Sequence, residues 1–239
     1  MKNENMALKK VISTFEKGRL YCIVGQPTMG KSTLARLMAI ELDTSPNNVI
    51  TFFNLEISNI HFVNKVMRLL SGITGEDNAE YIVDYLKDSK IDLDDTAHID
   101  LNTLQSKISE AVCDYNANFI FIDYLNLMNH SLYSVSESVK KSITYILRSL
   151  DMLAANLHIT IVMLYQLERV PKKKPDEYSI RQDLHHIADA TDQLYLAYRP
   201  GLYNRSENPH IIEVIKSRGD TFCGEKYNIE YNYNDTITE

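Results

Sequence analysis

The sequence predicts an α/β fold in which a mostly parallel central sheet is covered by helices. Apolar runs of strand length alternate with helix-length patterns along the chain. Several of those runs are apolar at consecutive positions, as in strands buried on both faces. A glycine-bearing segment, 25-GQPTMGKST-33, joins the first run to the first of these helices. At 239 residues and 44% hydrophobic content, the chain suits one domain with an ordinary core.

Each element follows from local pattern. A turn at Lys17 leads into the strand 20-LYCIV-24, and Thr33 to Leu42 carry the apolar positions of a helix. The run 49-VITFFNL-55 is rich in apolar and β-branched residues and ends beside Glu56. Ile60 to Leu70 reads as a helix with an apolar stripe at Phe62, Val66, Leu69 and Leu70. Gly75 to Asp100 holds nine Asp or Glu against Lys87 and Lys90, which predicts a solvated helical face or surface segment. A helix over Leu101 to Tyr115 leads into 119-FIFIDYLNLM-128, whose apolar start ends at Asp123. A further helix, Val139 to Asn156, precedes the strand 159-ITIVMLYQL-167. The run 171-PKKKP-175 reads as an exposed loop, and Asp192 to Tyr198 and His210 to Lys216 as the last clear strands. The tyrosine-rich end is compatible with another strand or an adhesive surface.

A net charge of -7 and a pI near 5.5 exclude a protein that coats nucleic acid through its overall charge, while leaving room for a local basic surface. Cys22, Cys113 and Cys223 are far apart, and two sit in or beside apolar runs, which suits reduced core thiols better than a bridge or a zinc site. The absence of a secretory leader or a long apolar stretch predicts a soluble, cytoplasmic protein with no membrane partner.

The segment 25-GQPTMGKST-33 has phosphate-loop spacing, with Gly25 and Gly30 separated by four residues and Lys31 and Ser32 following. Glycines let the backbone of Gln26, Pro27, Thr28 and Met29 curl so that N–H groups converge on phosphate, and the helix entered through Thr33 adds positive potential. Lys31 can reach the terminal phosphates, and the Ser32 hydroxyl can bind magnesium. ATP is preferred to GTP, since no separate guanine-reading motif is present. Asp123, at a strand end, is the matching magnesium carboxylate. Glu56, beyond another buried strand, is the candidate to prepare attacking water, the alternative being an exposed turn residue. Gln166 can report phosphate occupancy through its amide or simply cap a loop, and Asn126 has the same two readings.

Five segments in order carry a family resemblance: 25-GQPTMGKST-33, 52-FFNLEIS-58, 120-IFIDYLNLM-128, 161-IVMLYQLER-169 and 214-VIKSRGD-220. With them the chain resembles the carboxy-terminal ATPase domain of DnaB-type replicative helicases, within the RecA-like superfamily of P-loop NTPases. The resemblance implies that Glu56 serves the attacking water, that Asp123 works with magnesium, and that Gln166 lies on a sensing strand beside a nucleic-acid channel. It also implies that Lys216 and Arg218 act on a neighbouring subunit's nucleotide. The chain departs from the family at Asn126, where glutamine is usual, and at Tyr165, where serine is usual. In 181-RQDLHHIADATDQLYLAYR-199 the family's glycine-bearing turn is missing, and no separate amino-terminal helical domain is expected from the sequence.

The leading expectation is therefore a magnesium-dependent ATPase that assembles as a homo-oligomeric ring or filament and moves on, or unwinds, single-stranded DNA during DNA replication. Lys172, Lys173, Lys174 and Arg181 are its candidate DNA contacts. One alternative is a regulatory ATPase that remodels a replication or other protein partner without gripping DNA. Another is a noncatalytic nucleotide-binding scaffold.

Overall fold

A computed structural model describes residues 6–74, 79–125, 137–167, 184–199, 210–217 and 224–229. In chain order the elements are α1 (Met6–Ile12), β1 (Arg19–Gly25), α2 (Lys31–Asp43), β2 (Ile50–Asn54), α3 (Asn59–Thr74), α4 (Ala79–Asp88) and β3 (Ile91–Asp94). They continue with α5 (Leu101–Tyr115), β4 (Phe119–Asp123), α6 (Glu137–Leu157), β5 (Thr160–Gln166), β6 (Gln193–Tyr198), β7 (His210–Ser217) and β8 (Lys226–Ile229). The strands form an eight-stranded sheet of order β3-β2-β4-β5-β1-β6-β7-β8. Pairing is parallel from β3 to β6 and antiparallel from β6 through β8.

Strand alternation divides the core into two layers. On β1, Leu20, Cys22 and Val24 join the layer that contains α5 and α6 residues, while Tyr21 and Ile23 join the layer built with α1, α2, α3 and α4. This is why β1 is apolar at every position from Leu20 to Val24. The stripe Phe62, Val66, Leu69 and Leu70 forms the buried face of α3, and Phe52 of β2 packs on Phe62 at 4.7 Å and stacks on Phe121 of β4 at 5.4 Å between centroids. Local signals set the ends of α5. Asp100 accepts a hydrogen bond from the Thr103 amide at 2.9 Å, and Asn116 ends the helix in the left-handed region at φ 59°.

The acidic interval holds the expected solvated helix, α4, with Glu80 and Asp84 exposed, and departs from expectation in the edge strand β3 that follows. Its sequence IDLD alternates, with Ile91 and Leu93 packed against the core and Asp92 and Asp94 at the alternate positions. Lys107 on α5 is ion-paired with Asp94 at 2.5 Å. Charge on an edge strand discourages pairing with another chain, so acidity here marks an edge rather than a loop. Of the tyrosine-rich end, Lys226–Ile229 enters the sheet as β8, and residues 230–239 lie outside the described residues; α1, which the sequence pattern does not reveal, buries Leu8 and Val11. Cys22 is a core thiol, whereas Cys113 is exposed on α5, a correction explained by its place on the solvent side of an amphipathic helix. Cys223 lies outside the described residues. Among the described residues no helix is long and apolar enough to cross a membrane.

Candidate nucleotide site

The carboxyl ends of β1, β2, β4 and β5 lie side by side, which is where open parallel sheets place their ligand crevices. From β1 the chain leaves through Gly25 into the loop 26–30 and enters α2 at Lys31. Gly25 has no room for a side chain. A Cβ there would stand 2.6 Å from the Ala197 carbonyl oxygen of β6 and 3.2 Å from Lys31 Cγ. Gly30 precedes α2 at φ 82°, a conformation that strains other residues. Thr28 also takes a positive φ, 67°. No side chain caps the start of α2, so its first amides suit an anion.

Lys31 is buried, and its Nζ donates to the Gln26 carbonyl at 3.0 Å, closing the loop over its own side chain. The Met29 amide donates to the same oxygen at 3.4 Å. Burial lowers the Lys31 pKa to about 8, against the pull of Asp123 and Glu56, which raise it. Gln26 and Met29 are buried, Pro27 and Thr33 are half-buried, and Thr28 is exposed with its hydroxyl on the Pro27 carbonyl at 2.6 Å.

Ser32 and Asp123 meet across the site, with the Ser32 hydroxyl donating to Asp123 Oδ1 at 3.0 Å. Asp123 is completely buried at the end of β4, and burial pushes its carboxyl above the ordinary range. Arg36 and the Ser32 hydroxyl pull it back down. Arg36 was missed by sequence reasoning. It lies one turn beyond Ser32 on the same face of α2, 5% exposed at its side chain, with Nη2 3.7 Å from Asp123 Oδ2 and the guanidinium 5.2 Å from the centre of the Phe62 ring. The four-residue spacing from Ser32 was the available signal.

Glu56 stands exposed in the bend after β2, within electrostatic reach of Lys31, Asp123 and Tyr124. Gln166 is the last residue of β5 and pairs in register with Gly25, while the Leu167 amide donates to the Gly25 carbonyl at 3.0 Å. Tyr165 is partly buried against the core. Lys216 lies apart from these residues, its Nζ held by the backbone carbonyls of Thr191, at 2.9 Å, and Ala188. Asn126, Arg218, Lys172, Lys173, Lys174 and Arg181 lie outside the described residues.

Ser32 and Asp123 offer the hard oxygen donors that magnesium takes, and Asp123 Oδ2 and Asn54 Oδ1 are buried oxygens with no hydrogen-bond partner among the described residues. No group of three or more His, Cys, Asp or Glu fit to hold a metal occurs among the described residues. The donor set thus suits a cation shared with phosphate better than one caged by protein.

Comparison with known proteins bears on the fold and family. Residues 1–238 match the family described as DnaB-like helicase C terminal domain. The replicative DNA helicase DnaB of Geobacillus stearothermophilus is 28% identical over 224 residues, covering 87% of this chain and 49% of that protein. A solved ATPase domain superposes with a TM-score of 0.74 at 18% identity, covering 92% of this chain and 86% of that one. A DnaB-like replicative helicase, solved in a study of its interactions with primase, superposes with a TM-score of 0.75 at 20% identity, covering 92% of this chain and 58% of that one. The chain spans about half the length of the curated relatives it matches. Its fold is RecA-like, and the chain belongs to the family of DnaB-like helicase C-terminal domains.

Proposed function

We propose that the chain hydrolyses ATP with magnesium and couples the cycle to binding and moving along, or unwinding, single-stranded DNA within a homo-oligomeric assembly. The observation that carries this is the Ser32–Asp123 contact, which closes the phosphate loop onto the end of β4 with Lys31 and Glu56 alongside. In this reading the backbone N–H groups of Gln26 and of residues 28–33 cradle the phosphates, Pro27 having none to give, and Lys31 swings from the Gln26 carbonyl to the terminal phosphates. Ser32 and Asp123 would hold magnesium, which would screen the phosphate charge. Glu56 orients the attacking water, and Gln166, paired with Gly25, relays the state of the phosphate loop along β5. Lys216 and Arg218 act on a neighbouring subunit's nucleotide, and Lys172, Lys173, Lys174 and Arg181 contact DNA. For Lys216 this requires release from the Ala188 and Thr191 carbonyls during assembly.

Turnover should rise when single-stranded DNA is added to assembled protein. DNA-insensitive turnover with an ATP-dependent protein partner would instead favour the remodelling ATPase. Glu56→Gln should keep ATP affinity and lose about 10²–10³-fold in turnover, the scale of removing one group that acts mainly in the transition state. Unchanged turnover would remove Glu56 from the role.

Binding should also move a proton. A triphosphate favours the charged form of Lys31, whose free-state pKa near 8 lies below the ordinary lysine value of 10.5. ATP binding between those values should therefore take up a proton, seen in calorimetry as a binding heat that varies with buffer ionisation enthalpy. Lys31→Met should abolish the variation.

A further inference from the structure

We propose that Asn54 is a positioning residue that sets the place of Glu56, an inference that rests on the reading of Glu56 as the water-orienting carboxylate. Asn54 is the last residue of β2, 1% exposed, and pairs in register with Asp123. Its Nδ2 donates to the Ile57 carbonyl at 2.6 Å. A carbonyl only accepts, so this contact fixes which way the amide is turned. One residue on, the Leu55 amide donates to the Asp123 carbonyl at 2.8 Å.

The bend carrying Glu56 is thus pinned on both sides. Leu55 is tied to β4 before it, and Ile57 is tied back to β2 after it. Glu56 itself is exposed between the two ties, so its own side chain does little to hold the bend. The Asn54 amide determines how far Glu56 stands from the ends of β1 and β4, where Lys31 and Asp123 lie. Asparagine supplies what this requires, a donor long enough to reach three residues ahead and neutral enough to lie buried beside Asp123.

The test uses the whole chain assembled on single-stranded DNA. Asn54→Leu keeps the size and neutrality of the side chain, removes the donor, and also removes the buried Oδ1, so the fold should tolerate it. Asn54→Asp keeps the shape and turns the donor into an acceptor. Both variants are assayed for turnover and for binding of a non-hydrolysed ATP analogue, alone and with Glu56→Gln. Both should lose about 10–100-fold in turnover, the scale of a misplaced catalytic group, with analogue affinity changed less than about threefold. On the Glu56→Gln background neither should cause a further loss, because the group being positioned is gone.

Wild-type turnover in both variants would overturn the inference, as would an equal fold-loss with and without Glu56→Gln. A loss confined to Asn54→Asp would assign the effect to added charge and overturn it as well. Should Asn54→Leu fail to fold, Asn54→Ala, which also removes the donor and adds no charge, decides on the two backgrounds by the same coupling. Undiminished turnover in Glu56→Gln alone marks a different failure, that of the Glu56 reading itself.

Discussion

Lys31→Ala should reduce ATP turnover by about 10²–10³-fold, since in the proposed reading Lys31 meets the charge that grows in the transition state. Nucleotide affinity should fall by about 10–100-fold, the worth of a charged hydrogen bond. The folded protein, by contrast, should be no less stable. Burial depresses the Lys31 pKa to about 8, so the free site holds the ammonium at a cost, and its hydrogen bond at 3.0 Å goes to a carbonyl that the Met29 amide also reaches. The sign follows by linkage. Between pH 8 and 10.5 the unfolded chain binds more protons at this position than the folded one, so wild-type stability from Lys31 rises with pH there. Lys31→Ala should lack that rise and match or exceed wild type in urea unfolding at pH 7. Turnover within a few-fold of wild type would remove Lys31 from the phosphate site, whereas loss of turnover with equal loss of stability would reassign it to the fold.

That split between stability and activity also shows what sequence alone could disclose. The spacing of Gly25, Gly30, Lys31 and Ser32 announces a phosphate loop because the chemistry constrains adjacent residues. Asp123 is legible because a carboxylate that ends an apolar run interrupts an otherwise hydrophobic pattern. Gly25 carries a second constraint that spacing cannot express, since the clash with the Ala197 carbonyl depends on β6 lying against β1, and those strands are far apart in the chain. Asn54 is hidden for the same reason. The role proposed for it rests on the register that sets it beside Asp123, a product of tertiary pairing. β3 escaped because period-two alternation over four residues is weak evidence, and its aspartates outweighed Ile91 and Leu93. α1 is a short helix whose only buried residues are Leu8 and Val11, one helical turn apart, too little for a periodic signal.

Arg36 was overlooked because a charged residue on a helix is usually solvated, yet its replacement should have the largest effect on the fold. Arg36→Met keeps the packing volume against Phe62 and removes the charge opposite a carboxylate that is 0% exposed. Leaving a buried charge uncompensated costs about 3–5 kcal/mol, a large part of the stability of an ordinary domain. The loss should depend on pH in a definite direction. Asp123 already titrates above its ordinary value because burial outweighs Arg36 and Ser32, and without Arg36 it should move further up. The folded variant then binds more protons than the unfolded chain above the ordinary carboxylate value of 3.8, so its stability falls as pH rises through the folded-state pKa. Urea unfolding should show the deficit against wild type smallest in mild acid and largest at neutral pH. Adding Asp123→Asn to Arg36→Met should recover much of the loss, because it removes the stranded charge while keeping an oxygen for the Ser32 hydroxyl. A deficit that is flat with pH and unrelieved by Asp123→Asn would mean that Arg36 stabilises the fold through its stem and its stacking on Phe62, with no part in keeping the Asp123 carboxylate charged beneath the phosphate loop.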